Sequence, residues 1–183
     1  MKDENVLKKK LVKLAFPLSL EGLLTASADF VDTLMVSSLG ETAVSAVGLG
    51  TQLFFIQSMT IYGFSGGDAT FLSQFYGSGN WKGIRKTLSI TICTAFSFSF
   101  LLFALVLAIP EHLLQIFTHY SAVAKIGASY MVYRSPCLLL YSIVLPLVMA
   151  LKSTQHVKLP VFASIVAIVS NLGLNYILIF GKF

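Results

Sequence analysis

The chain has 183 residues, of which 56% are hydrophobic and only 11% charged. Soluble domains carry about 25% charged residues, so a water-soluble globule is excluded and a polytopic membrane protein is what remains. The net charge of +5 comes from basic residues gathered at alternate loops, which makes it a topology signal; no nucleic-acid partner is expected.

A helix needs about 20 mostly apolar residues to cross a hydrocarbon core, and five stretches meet that need: residues 11–37, 43–76, 87–109, 123–149 and 159–180. The expected fold is all-α, a membrane bundle of five transmembrane helices. The first stretch has a competing reading. A basic segment, an apolar segment and then "ASAD" mimic a signal peptide with an A-x-A cleavage site at Ala26–Ala28. Pro17 and Glu21 interrupt the apolar part where a signal core is unbroken, so the segment reads as a retained first helix.

That helix carries Glu21, Thr25, Asp29 and Asp32 at spacings of four, four and three, which place them on one broad face. An acid near mid-bilayer costs about 2.5–3.5 kcal/mol, so the face must look at protein or at a wet path. Asp32 lies about 16 Å beyond Glu21 at helical rise, and the stripe therefore follows a pathway. Ordinary helix-to-helix hydrogen bonding accounts for Glu21 near the inner end; for Asp32 a functional role is the better account.

The second stretch is too long for one straight crossing and is expected to tilt or to extend into water. Its Gly63 and Gly67 form a small-xxx-small face suited to close packing, Asp68 reads as wet and structural, and Gly77 and Gly79 make a turn before "NWKGIRK". After the third stretch, "IPEHLLQIFTHYSAVAK" reads as a short helix at the outer surface. The fourth holds Arg134 in "YMVYRSPC", about 16 Å from its outer end. A charge there needs a partner, and Asp29 is a candidate at similar depth. Pro136 and Pro146 allow this span to bend. In the fifth stretch Asn171 and Asn175 are four apart and stack on one side. Each offers a carbonyl oxygen to a cation and an NH₂ group to a carboxylate, although such amides are also common glue between membrane helices.

Lys2, Lys8, Lys9, Lys10 and Lys13 precede the first span; Lys82, Arg85 and Lys86 follow the second; Lys152 and Lys158 follow the fourth. The other side has only Lys125 and Lys182. By the positive-inside rule the amino terminus is cytoplasmic and the carboxyl end of this chain lies outside, in a multi-pass protein of the cell membrane. Cys93 and Cys137 sit in apolar runs without metal-type spacing, and His112, His119 and His156 form no cluster. No nucleophile elbow, phosphate-binding loop or metalloprotease helix occurs, so no catalytic residue, cofactor or enzyme activity is expected.

In order along the chain, "VDTLMVSSLGETAVSAVGLG", "SQFYGSGNWKGIRKTL" and "ALKSTQHVKLP" leading into "NLGLNYILIFG" resemble the amino-terminal half of multidrug and toxic compound extrusion (MATE) transporters. Those are cation-coupled antiporters with two six-helix lobes around a central cavity. The resemblance covers nearly the whole chain and makes residues 1–183 an incomplete amino-terminal lobe. It implies export of small organic, often cationic, compounds in exchange for Na⁺ or H⁺. It also implies a cation or proton site at Asp32, Asn171 and Asn175, with no metal beyond Na⁺ at that site; Asp29 and Arg134 are candidate cavity-lining residues by their own depth. Some branches of the family have aspartate where this chain has Asn175. A sixth helix and a second lobe, from the same longer chain or another copy, are the implied partners beside the lipid bilayer. A lipid-linked-oligosaccharide flippase of related fold, or a membrane fragment without transport activity, are the alternatives.

Overall fold

A computed structural model describes residues 2–180, with backbone alone for 2–10, 13, 14 and 180; Lys182, counted above on the outer side, falls outside the described residues. The chain forms helices α1 (Lys2–Ser37), α2 (Glu41–Gly77), α3 (Trp81–Ala108), α4 (Pro110–Gln115), α5 (Ser121–Arg134), α6 (Pro136–Ser153) and α7 (Lys158–Phe180). Among the described residues α2, α3, α6 and the Lys158–Ile179 part of α7 are long and apolar enough to cross a membrane. Their outward positions carry exposed Phe55, Phe64, Phe100, Leu101, Leu140, Val169 and Leu178, side chains that lipid accepts and water does not. Hydroxyls along these helices fold back on their own backbone, as Thr60 Oγ1 does to Ile56 O at 2.8 Å and Ser97 Oγ to Cys93 O at 2.8 Å. This local bonding removes the cost of unpaired donors in hydrocarbon.

Two compact units make up the chain: Met1–Ser38 with Gln155–Phe183, and Leu39–Thr154. In the first, α1 packs on α7. Ser164 pairs with Glu21 and Asn175 with Asp32, both across 143 positions. An equal offset at two points means that the helices run parallel and in register. Eleven residues separate the pairs on each helix, three turns at about 3.67 residues each, so the same two faces meet again.

In the second unit α2, α3, α5 and α6 pack around Phe54, Leu102, Val106, Ala128, Met131 and Leu138, with Leu114 of α4 closing the cluster. The loop after α3 thus holds the short helix expected there, and Leu114, 1% exposed, pins it to the bundle. The α2 residues that face inward are Ala46, Gly50, Phe54, Gln57, Ile61, Ser65 and Leu72, steps of three, four or seven on one face. Gly63 and Gly67 lie off that face. Among the described residues nothing stands within 4 Å of a Cβ at either position, so the close-packing role expected of them is not filled within this unit. Gly50 and Gly127 have it instead: a Cβ on Gly50 would lie 2.8 Å from Tyr130 Cδ1, and one on Gly127 3.0 Å from Ala46 O.

The turn from α2 to α3 is spelled by "GSGN". Gly79 takes φ +70°, its N–H reaches Tyr76 O at 3.2 Å, and Asn80 N–H reaches Phe75 O at 2.8 Å. This is the Schellman arrangement, which favours glycine at the left-handed position. Asn80 then caps the next helix, its Oδ1 accepting from Gly83 N at 2.9 Å. Tyr76 and Trp81 meet edge to face at 5.9 Å across the turn.

The expected fourth span is two helices, cut at Ser135. Pro136 has no N–H for Val132 O and would crowd it. Ser135 covers that carbonyl twice, by its N–H at 3.2 Å and its Oγ at 2.8 Å. Only α6 of the pair qualifies as a crossing helix.

Gln57 is the polar centre of this unit. It is 1% exposed and donates to Ser99 Oγ of α3 and Leu138 O of α6, both at 2.7 Å. Bonds of this kind between membrane helices average about 0.6 kcal/mol and reach about 1.7. Gln57→Leu keeps the volume and removes both; it is expected to destabilise the protein by about 1–2 kcal/mol, read as a lower midpoint in a detergent-unfolding titration.

Candidate functional site

The carboxylate of Asp32 on α1 and the amides of Asn171 and Asn175 on α7 come together. Asp32 and Asn175 are half-buried and Asn171 is exposed. Asn175 Nδ2 donates to Asp32 Oδ1 at 2.9 Å. The Asn171 amide has two faces to offer. With oxygen inward it accepts from Asn175 Nδ2 at 3.3 Å but confronts carboxylate oxygens. With NH₂ inward it donates to Asp32 Oδ2 at 3.0 Å and Oδ1 at 3.1 Å. The second orientation matches donors to an ionised carboxylate and is the one we assign to it.

This geometry gives the three side chains two self-consistent arrangements. With Asp32 ionised and nothing bound, both amides donate to it and delocalise its charge. With a proton on Asp32, or a cation beside it, a half-turn of the Asn171 amide presents oxygen instead. Carboxylate and amide oxygens are the donor set that a hard cation takes.

Glu21 and Ser164 repeat the pattern three turns toward the amino end. Ser164 Oγ donates to Glu21 Oε1 at 2.8 Å, and Glu21 is buried at 9% exposure. A structural role was the expectation for Glu21, and a buried bond between two packed helices is in keeping with it. Ala28, 8% exposed, is the buried residue between the two pairs on α1. Asp29 is exposed, and its backbone oxygen accepts from Thr33 Oγ1 at 2.9 Å.

Arg134 belongs to the other unit. The guanidinium carbon stands 4.4 Å from the centre of the Phe54 ring and 5.7 Å from that of Tyr130, and Nη1 donates to the Tyr130 hydroxyl. Asp29, the acid expected to pair with Arg134, lies in the first unit, and within its own unit Arg134 is held by aromatic partners that its charge alone does not suggest. Their signal was present: Ala46, Gly50 and Phe54 at steps of four on α2, facing Gly127, Tyr130 and Arg134 on α5. Small residues let the backbones approach, and the ring and the cation then meet above them.

The MatE family model matches residues 17–177. Among relatives, a protein of Thermotoga maritima named probable multidrug resistance protein NorM is 26% identical over 97% of this chain and 38% of its own length. One of the same name from Neisseria meningitidis serogroup A is 27% identical over 94% of this chain and 38% of its own. The uncharacterized transporter YisQ of Bacillus subtilis is 24% identical over the same shares. The chain thus spans about two fifths of the length of these relatives.

Proposed function

Because the chain belongs to the MatE family, we propose that it forms part of a secondary antiporter that exports small organic, often cationic, compounds from the cell in exchange for Na⁺ or H⁺. The observation that carries this reading is the half-buried Asp32 carboxylate held between two amides at the seam of α1 and α7.

In the proposed cycle, arrival of the cation or proton neutralises Asp32. A neutral carboxyl is cheaper to hold away from water than a charged one, so the seam tolerates closure after binding and resists it before. A cation can shift the equilibrium between inward- and outward-facing forms only by its differential affinity for them. Asp32 and the Asn171 amide supply that difference here. Release of the cation on the cytoplasmic side restores the charge and the donating orientation. Alternating access needs two bodies that move against each other, and the sixth helix and second lobe of the longer transporter are the proposed counterpart. The assembly lies in the cell membrane with the amino terminus in the cytoplasm and no enzyme activity of its own.

The test uses the full-length transporter carrying this chain, reconstituted in vesicles with a fluorescent cationic dye such as ethidium. Dye movement is expected to follow an imposed Na⁺ or H⁺ gradient by at least about tenfold over vesicles without a gradient, a difference of about 1.4 kcal/mol in the barrier. Dye flux that ignores both gradients would remove antiport from the account.

A further inference from the structure

Arg134 closes α5, and the means by which the fold holds it are peculiar in one respect: among the described residues all its partners are neutral. The carbonyls of the last turn of α5 supply a partial negative charge. The Phe54 ring presents its face at 4.4 Å. The Tyr130 hydroxyl takes one Nη1 proton. A guanidinium has five N–H donors in a planar fork, so most of that fork stays available.

The support is built and not incidental. Tyr130 lies against Gly50, where any Cβ would come 2.8 Å from its Cδ1. One α5 turn earlier, Gly127 rests on the Ala46 carbonyl and on Leu114. These contacts fix the ring that fixes the arginine. Ser135, 1% exposed, covers the Val132 carbonyl, so the helix break beside Arg134 does not draw on its donors. Among the described residues the charge is stabilised by neutral groups alone, on a helix pair brought close at Gly50 and Gly127.

We propose that Arg134 is a binding site for a planar or tetrahedral oxyanion, the carboxylate of a zwitterionic cargo or the phosphate of an anionic lipid. Guanidinium recognises such groups through two parallel N–H bonds, which a lysine ammonium does not reproduce. The cationic portion of a cargo gains nothing from Arg134, so the site separates zwitterions from simple cations. The inference rests on the transport reading only for its choice of cargo. Failure of gradient-driven dye movement would leave binding at Arg134 measurable and unaffected.

The experiment compares rhodamine 110, which bears a free carboxylate, with rhodamine 123, its methyl ester. Binding to the full-length protein in vesicles of neutral lipid is read by fluorescence anisotropy. Wild type is expected to bind the acid more tightly than the ester. Arg134→Gln is expected to weaken the acid at least about tenfold and the ester less than about twofold, and Arg134→Lys to recover only part of the loss. If the phosphate of an anionic lipid is the natural occupant, adding phosphatidylglycerol to the vesicles weakens the acid in wild type and not in Arg134→Gln. If cargo is, that addition has no effect. Equal binding of acid and ester by wild type, equal losses of both in Arg134→Gln, or full recovery in Arg134→Lys would overturn the proposal.

Discussion

Asp32→Asn is expected to abolish cation-driven export while the protein remains in the membrane at its normal level. The substitution is nearly isosteric, and the new amide oxygen can still accept from Asn175 Nδ2, which stands 2.9 Å from Asp32 Oδ1. The seam of α1 and α7 should therefore stay packed, with Glu21 and Ser164 holding it three turns away. What disappears is the ability to change charge. Without it, a bound cation or proton no longer alters the cost of burying the site, and the coupling free energy between the two transported species falls to zero. Export against a gradient should drop about a hundredfold or more, equivalent to about 2.7 kcal/mol. Vesicle flux with protein level checked by immunoblot separates this from loss of folding. Normal export by the variant would take Asp32 out of the mechanism.

The largest structural effect is expected from Gly127→Val. A Cβ there would lie 2.7 Å from Leu114 Cδ1 and 3.0 Å from Ala46 O. The leucine end can swing aside; the α2 carbonyl moves only if the helix does. Overpacking of a tight contact costs about 1–3 kcal/mol, and the two further methyls of valine put this site at the upper end. Separation of α5 from α2 would also lift Tyr130 from Gly50 and Arg134 from Phe54. A lower detergent-unfolding midpoint is the readout. Gly63→Val is the control, because its surroundings are open and it should change stability by no more than about 0.5 kcal/mol. If the two glycines respond alike, the α2–α5 contact is not the tight seam described here.

The membrane character and helical class were legible because they are properties of segments. An apolar run long enough to cross a bilayer declares itself by length and composition alone. The punctuation was legible too. The turn expected at Gly77 and Gly79 is made by contacts within a few residues, whereas Pro136, which suggested only a bend, cuts the fourth expected span into two helices by removing one N–H. Helical period placed Asp29 and Asp32 on a face, and Asn171 and Asn175 on another.

Which face meets which was another matter. A glycine is equally free of side chain wherever it stands, so the pair Gly63 and Gly67 looked like a packing surface while Gly50 and Gly127 formed the actual one. The difference lies in the neighbour that approaches, and no local pattern contains the neighbour. For the same reason Arg134 suggested a carboxylate partner by its charge, whereas Phe54 and Tyr130 hold it in its own unit. Composition and period by themselves determined that this protein lives in a membrane and which polar residues must be protected there. Only tertiary packing decided that Asp32 meets Asn175 at 2.9 Å and that Gln57 joins three helices. Those pairings depend on helices brought side by side from 42 to 143 residues apart, where register and approach distance select one partner among several that the chemistry alone allows.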